Sequence, residues 1–273
     1  MNVTPLAANS LSTLLELSTG QQLASGRRWR IETALQPVMR AHGLNSLDQL
    51  AGMASLPTAH DLRNEVVEAL LNHETSFFRD LAMFRSLGGE GLELMAGRRI
   101  EQRRLRIWSA GCSTGQEAYS VALLFAARAD RWADWTIEIF GTDVSPATIV
   151  QARSGLYSQF EVQRGLPIGD LLARFDPEGE AWRIRPALRS RVTFAVHNLL
   201  EPPPAGAFDI VLCRNVLLYF SAERRLEVLS RLATAIASDG LLMLGAGETL
   251  MGQADAFEPD PELRSFYRPV EGV

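Results

Sequence analysis

The sequence is poor in the features that would define several protein classes. Only two of its 273 residues are cysteine, Cys112 and Cys213, and they lie far apart. A disulfide scaffold is not expected at this size, and a reducing cytoplasm is the natural home. No apolar run approaches the roughly 20 residues needed to span a membrane. The opening MNVTPLAANS has neither a basic start nor an apolar core, so no secretory signal is expected. No cysteine and histidine cluster has metal-ligand spacing. The four histidines, His42, His60, His73 and His197, form no obvious pair, and no Ser/His/Asp or Cys/His arrangement stands out. The net charge of -5 gives no general attraction for nucleic acid or anionic lipid. What is present is ordinary for a globular chain, with 47% hydrophobic and 22% charged residues. The length allows one large domain or two small ones.

Residues 10–85 read as helical. Leu11, Leu14, Leu15 and Leu17 suggest a first amphipathic helix, and residues 29–42 a second that stops at Gly43. Ser46 can cap a third helix, with Gln49 behind it, and residues 61–71 form a fourth. Together these predict a small bundle. The second helix carries Arg27, Arg28, Arg30 and Arg40 against Glu32. This is either a solvated face or a docking face for an acidic partner helix. Residues 72–80, NHETSFFRD, follow. Residues 86–104 read as a linker, with Gly88, Gly89, Gly91 and Gly97 and a solvated basic cluster of Arg98, Arg99, Arg103 and Arg104.

From Leu105 the pattern becomes strand and helix in alternation. Strands are expected at 105–109, 136–141, 192–196, 208–213 and 241–245, with a final one at Phe266-Tyr267. Helices are expected at 116–129, 145–155 and 221–238, the second with Ser145 as cap and Pro146 at its first position. The predicted fold is α/β, a doubly wound, mostly parallel sheet with helices on both faces. Residues 157–191 interrupt it as a small inserted α+β flap, with an edge strand near WRIRP. The domains expected are therefore 1–85 helical, 86–104 linker and 105–273 ligand-binding.

The stretch 105–118, LRIWSAGCSTGQEA, reads as strand, glycine turn and helix, the geometry of a nucleotide or nucleoside site. The turn from Gly111 to Gly115 matches neither G-x-G-x-x-G nor a P-loop, since no Lys follows. That leaves a ligand with little or no phosphate. In an open α/β sheet the ligand lies beyond the carboxyl ends of the strands. The candidates there are the glycine turn, Asp143, Asn198-Leu199, Arg214-Asn215 and residues 245–248. An ionised Asp143 can accept both hydroxyls of a ribose. The alternative, that Asp143 caps the next helix, is met by Ser145. Asn198 and Leu199 can offer an amide and an apolar face to an adenine. Glu117 either holds a cationic group of the ligand or pairs with its own helix dipole. Ribose and adenine without phosphate suggest S-adenosylmethionine. An acceptor that is already ionised needs no general base, only positioning and charge placement.

The segments NHETSFFRD, WSAGCSTGQEAYSVAL, GTDVSPATIVQARSGLY, FDIVLCRNVLLYF and DGLLMLGAGE, in that order, resemble the chemotaxis receptor glutamate methyltransferases, the CheR family. The resemblance runs over residues 10–268. It implies a class I methyltransferase fold with a helical N-terminal domain. It further implies methyl transfer from S-adenosylmethionine, leaving S-adenosylhomocysteine, to glutamate carboxylates of methyl-accepting chemoreceptor cytoplasmic helices. By the same resemblance His73, Thr75, Arg79, Gly111, Glu117, Asp143, Asn198, Leu199, Arg214 and Asn215 line the donor region. Arg79 and Tyr219 stand near the transfer point. A cytoplasmic monomer associated with receptor arrays is expected. Arg79 can hold a carboxylate in a bidentate fork without protonating it.

Three departures mark this chain. His73 stands where the motif commonly has Asn, with Asn72 one residue earlier. Gln116-Glu117 replaces two acids after the glycine turn. The flap lacks an extra glycine-rich loop, as in members that do not grip a receptor tail peptide. Cys112 and Cys213 flank the expected pocket as small fillers. Three other functions compete: a degenerate donor-binding sensor or scaffold, a nicotinamide dehydrogenase, and a methyltransferase of small molecules or nucleic acid.

Overall fold

A computed structural model describes residues 5–23, 28–250 and 255–270, without the side chains of residues 5 and 28–30. The chain divides into two compact units, Met1–Asn72 with Tyr219–Arg225, and His73–Leu218 with Leu226–Val273.

The first unit holds helices α1 (Pro5–Thr19), α2 (Arg28–Ala41), α3 (Leu47–Ala54) and α4 (His60–Leu70). Leu11 and Leu15 of α1, Ile31 and Leu35 of α2, Leu50 of α3 and Val66 of α4 are buried. Each pair is four residues apart and so shares a helix face. Leu17, expected on the same face as Leu15, is 82% exposed instead. Two residues turn the helix by about 200°, which carries Leu17 to the opposite side. The Ser46 hydroxyl accepts from the Gln49 N–H, capping α3, while the Gln49 side chain accepts from the Asn45 N–H. Of the basic face proposed for α2, Arg27 lies outside the described residues, as do the side chains of Arg28 and Arg30. Arg40 is exposed and donates to Gln36.

The second unit contradicts the linker expected at 86–104. Helix α5 (Leu81–Ser86), a π turn (Leu87–Gly91) and helix α6 (Leu92–Arg98) run continuously there. Leu87, Leu92 and Met95 are buried. Apolar packing has overridden the poor helix propensity of the glycines. The basic cluster is also not simply solvated. Arg99 pairs with both Asp209 and Asp239, Arg98 donates to the Asp239 carbonyl, and Arg104 pairs with Glu138.

In chain order follow β1 (Arg104–Ala110), α7 (Gln116–Ala127), β2 (Thr136–Asp143) and α8 (Pro146–Ser154). The flap then supplies β3 (Leu156–Ser158), α9 (Gln159–Gln163), α10 (Ile168–Arg174), β4 (Phe175–Glu178), β5 (Ala181–Ile184) and α11 (Pro186–Arg189). The chain returns to the main sheet with β6 (Val192–Val196), β7 (Phe208–Cys213), α12 (Ala222–Ala235), β8 (Ile236–Leu244), β9 (Phe257–Pro259) and β10 (Phe266–Pro269). The seven-stranded sheet has the order β6-β2-β1-β7-β8-β10-β9. Its first five strands are parallel, and β10 is antiparallel to both neighbours. This is the doubly wound, mostly parallel α/β sheet that the alternation of strands and helices predicts.

Three boundaries differ from expectation. The final strand gains a partner, β9, too short to show as a pattern. Strand β8 begins at Ile236, inside the expected helix, because a register shift between Phe208 and Ile210 lets Ile236 pair with Phe208. The expected edge strand of the flap, β5, is instead central, flanked by β3 and β4.

Strand β7 is buried at every position, as its continuous apolar content requires. Helix α7 is buried from Gln116 to Leu123 and packs against the core of Ile107, Ile139, Ile210 and Leu212. The register pairs Ala110 with Thr142, Asp143 with Val196, and Cys213 with Leu244. The carboxyl ends of β1, β2, β6, β7 and β8 are therefore level, and the loops leaving them share one edge. No helix among the described residues is long and apolar enough to cross a membrane.

Candidate active site

The glycine turn leaves β1 with Gly111 at φ +83° and closes on Gly115 at φ +93°. The N–H groups of Gly111 and Cys112 both donate to the Thr142 carbonyl at 2.8 Å, which ties the turn to the end of β2. Gly115 is required twice over. Its φ lies where L side chains are strained, and an added Cβ would stand 2.8 Å from the Ala152 Cβ.

Asp143 ends β2 and is half-buried. Its Oδ2 accepts from the Ser113 N–H at 2.8 Å and its Oδ1 from the Ser145 N–H at 3.0 Å. Ser145 meanwhile caps α8 through the Thr148 N–H, so Asp143 is not the helix cap. An ionised carboxylate has acceptor sites beyond these two. The Ser113 hydroxyl donates to the His73 carbonyl at 2.8 Å, joining the turn to the HETSFFRD segment. His73 and Thr75 are half-buried there.

Glu117 does not stand free at the start of α7. One oxygen accepts from the Ser109 hydroxyl at 2.8 Å and the other from Arg214 at 3.0 Å. Burial pushes its carboxyl above the ordinary value despite the Arg214 charge. Arg214 is a buried hub. Besides Glu117, its Nη2 donates to the Arg79 carbonyl and to Asp80 Oδ2, both at 2.8 Å. Its guanidinium also lies over the Phe84 ring, 5.1 Å from the centroid. Arg214 therefore acts on the main chain of Arg79, whose own side chain is half-buried and donates to the Glu74 carbonyl at 2.9 Å.

Asn215 has φ +58°, and its N–H donates to Glu248 Oε2 at 2.7 Å. The same carboxylate accepts from the Gly245 N–H at 2.8 Å and the Leu217 N–H at 3.1 Å. Three backbone donors on one anion fasten the loop after β7 to the loop after β8. Asn198 turns its amide oxygen onto the Leu200 N–H at 3.0 Å, and Leu199 is buried. The His197 N–H donates to the Asp143 carbonyl at 2.9 Å, which holds this turn beside β2.

Ten of the eleven expected site residues belong to the second unit. Tyr219 falls in the first. Its hydroxyl accepts a short hydrogen bond from the Asn72 amide, and its carbonyl accepts from the Gln22 N–H at 2.6 Å. Asn72, displaced by one position from the usual motif, thus holds Tyr219.

Sequence reasoning gave Ser109 and Asp80 no role in the site, and it named Ser113 and Glu248 only as parts of the candidate stretches 111–115 and 245–248. One signal is conformational. Of six non-glycine residues with positive φ among the described residues, Phe78, Asp80, Ser113 and Asn215 lie in these site segments. Strained backbone concentrates where geometry is over-determined by function. The cysteines behave as expected of fillers. Both are fully buried, and burial, with nearby carboxylates, pushes both thiols well above their ordinary range.

The electrostatics suit a cationic ligand rather than a phosphate. Asp80, Glu117, Asp143 and Glu248 outnumber Arg79 and Arg214 along this edge. A chemistry of hydroxyl-accepting carboxylate, backbone N–H groups and buried acid fits a ribose joined to a positively charged group.

Comparison with known proteins agrees. Residues 73–263 match the family model described as CheR methyltransferase, SAM binding domain. The chain is 35% identical over 249 residues to chemotaxis protein methyltransferase Cher2 of Pseudomonas putida, covering 89% of this chain and 90% of that protein. It is 36% identical to chemotaxis protein methyltransferase 1 of Pseudomonas aeruginosa, covering 89% and 90%. It is 32% identical to the chemotaxis protein methyltransferase of Vibrio parahaemolyticus, covering 90% of each.

Proposed function

The chain belongs to the CheR methyltransferase family and is a SAM-dependent methyltransferase of chemotaxis, and on that premise we propose how its residues divide the work. The acceptor is the side-chain carboxylate of a glutamate on the cytoplasmic helices of a methyl-accepting chemoreceptor. The product is a glutamate methyl ester, formed in the cytoplasm at receptor arrays by a single copy of the protein.

S-adenosylmethionine supplies a methyl group on a positively charged sulfur, which a carboxylate oxygen takes in line as the carbon–sulfur bond breaks. Asp143 would hold the ribose hydroxyls, braced by the Ser113 N–H. Asn198 and Leu199 would flank the adenine, and the Gly111–Gly115 turn would admit the ligand close to the backbone. His73, Thr75, Glu117, Arg214 and Asn215 complete the wall, with Glu117 and Arg214 acting through each other.

Arg79 receives the acceptor. A planar guanidinium matches a carboxylate bidentately and favours its ionised form. At neutral pH a surface glutamate is already ionised, so no general base is needed. Methylation removes that negative charge, so Arg79 favours the acceptor over the ester and helps release it.

The observation that carries this reading is Arg79. Its main chain is held by the buried Arg214, and its side chain bonds a carbonyl rather than a carboxylate. A guanidinium whose main chain is fixed by the residue that follows β7, and which no carboxylate engages among the described residues, is suited to an incoming acid. The test is transfer of tritiated methyl from S-adenosylmethionine to a purified chemoreceptor cytoplasmic fragment. Label released as methanol by mild base supports a carboxyl ester. Base-stable label would mean methylation of nitrogen or sulfur and would defeat the reading.

A further inference from the structure

Arg79 has an acid close at hand that it does not use. Its Nη1 donates to the main-chain carbonyl of Glu74 at 2.9 Å, and no ion pair with any carboxylate engages it among the described residues. Its guanidinium therefore sits beside residue 74. The Glu74 side chain points elsewhere, with both oxygens taken by Arg164, Nη2 on Oε1 and Nη1 on Oε2 at 3.5 Å. The Arg79 charge still reaches it. The Glu74 carboxyl is held below its ordinary value chiefly by Arg164, with a smaller pull from Arg79.

Arg164 belongs to the flap, at the end of α9, and its backbone is pinned there. Gly165 has φ +87° and lies so near the Phe77 carbonyl that no Cβ could fit. The Arg164 guanidinium also rests over the Phe160 ring, 5.6 Å from its centroid. The flap thus presents one arginine to Glu74 from a fixed position, three residues before the buried Phe77.

We propose that Arg164 is a positioning residue for methyl transfer: its ion pair with Glu74 keeps that carboxylate off Arg79 and leaves the Arg79 guanidinium open to the acceptor. This rests on the reading of Arg79 as the acceptor-binding group. A local carboxylate on the same segment is always at high effective concentration, so an unrestrained Glu74 competes with the substrate glutamate. Its side chain turns on rotatable bonds from a main chain whose carbonyl Arg79 already touches. The flap's arginine removes that competitor by offering a second cation.

The experiment measures initial rates of base-labile methyl transfer against the concentration of a chemoreceptor cytoplasmic fragment. Arg164→Ala is expected to raise the acceptor KM about tenfold, the loss of a charge-assisted contact, with kcat and the affinity for S-adenosylhomocysteine unchanged. Glu74→Gln alone is expected to stay within about twofold of wild type. The double variant Arg164→Ala/Glu74→Gln is expected to return there too, because the competitor is gone. A mere structural tether predicts the reverse, since Glu74→Gln breaks the same pair. An unchanged KM in Arg164→Ala, or a double variant as impaired as the single, overturns the proposal. If Arg164→Ala does not fold, by its melting curve, Arg164→Gln takes its place. Arg79→Ala is measured alongside. If it leaves the acceptor KM unchanged, the Arg79 reading fails. If it raises KM while Arg164→Ala does not, only the present proposal fails.

Discussion

Arg214 and Glu117 form a buried ion pair at 3.0 Å, with side chains 1% and 11% exposed. Removing one partner strands the other. Arg214→Leu is expected to cost about 3–5 kcal/mol in unfolding experiments, as for other broken buried pairs. The loss should depend on pH. Burial already raises the Glu117 carboxyl above its ordinary 4.5, and loss of the guanidinium raises it further. A carboxyl raised in the folded state binds its proton more readily there than in the unfolded chain. The variant should therefore recover stability as pH falls toward 5 and lose it as pH rises. Urea unfolding at several pH values checks this, and a deficit independent of pH would count against it.

Glu248 makes a second, separate knot. Its carboxylate accepts from three backbone N–H groups across two loops. Glu248→Ala leaves those donors without their anion and frees Asn215 from its left-handed conformation. Calorimetric titration should show donor-product affinity reduced about tenfold, with a stability loss of about 2 kcal/mol. Unchanged affinity would show that the loop after β7 holds its shape without this anchor.

The glycine turn has no spare room. Gly115→Ala brings a Cβ against Ala152 and imposes a strained φ. A destabilisation of about 2 kcal/mol or more is expected from overpacking and backbone strain together. A denaturation midpoint equal to wild type would refute the geometry of the turn.

Arg99 and Asp239 lie away from the site and give a simpler pH test. The Arg99 hydrogen bond holds the Asp239 carboxyl below its ordinary 3.8. A depressed carboxyl contributes stability at pH values above that ordinary value and loses it as pH falls through the folded-state value. Asp239 is 47% exposed at its side chain, so solvent screening keeps the contribution at about 1 kcal/mol or less. Asp239→Asn should be slightly less stable than wild type at pH 7 in urea unfolding, and the difference should shrink only as pH falls below 3.8 through the lower folded-state value.

Much of this was legible in the sequence because the chemistry is local. The turn at Gly111, the strand ending at Asp143, the Ser145 cap and the apolar run of β7 each announce themselves within a few residues. The strand-end rule then brings Asp143, Asn198 and Arg214 together without knowledge of distances. What stayed hidden depends on long-range pairing. The glycines of residues 86–104 suggested a linker, but Leu87, Leu92 and Met95 decide otherwise by what they pack on. Glu117 looked available for a ligand until Arg214, 97 positions later, proved to hold it. Glu248 fell within the candidate stretch 245–248, but its anchoring role carried no signal, since its three partners are backbone groups. Tyr219 was expected near the transfer point through its family motif, and nothing in its neighbourhood foretold that its bonds run to Asn72 and Gln22. Side-chain identity cannot foretell such a division.

The central claim is that the level edge formed by β1, β2, β6, β7 and β8 is the methyl-donor site, with Asp143 as its ribose ligand. Calorimetric titration of S-adenosylhomocysteine into wild type and Asp143→Ala tests it most directly. The account predicts binding by wild type and a loss of about a hundredfold or more in Asp143→Ala, the result of removing a charged acceptor from two hydroxyl donors, with the melting curve showing both proteins folded. Equal affinity in the two proteins would contradict it, because the ribose would then be held elsewhere.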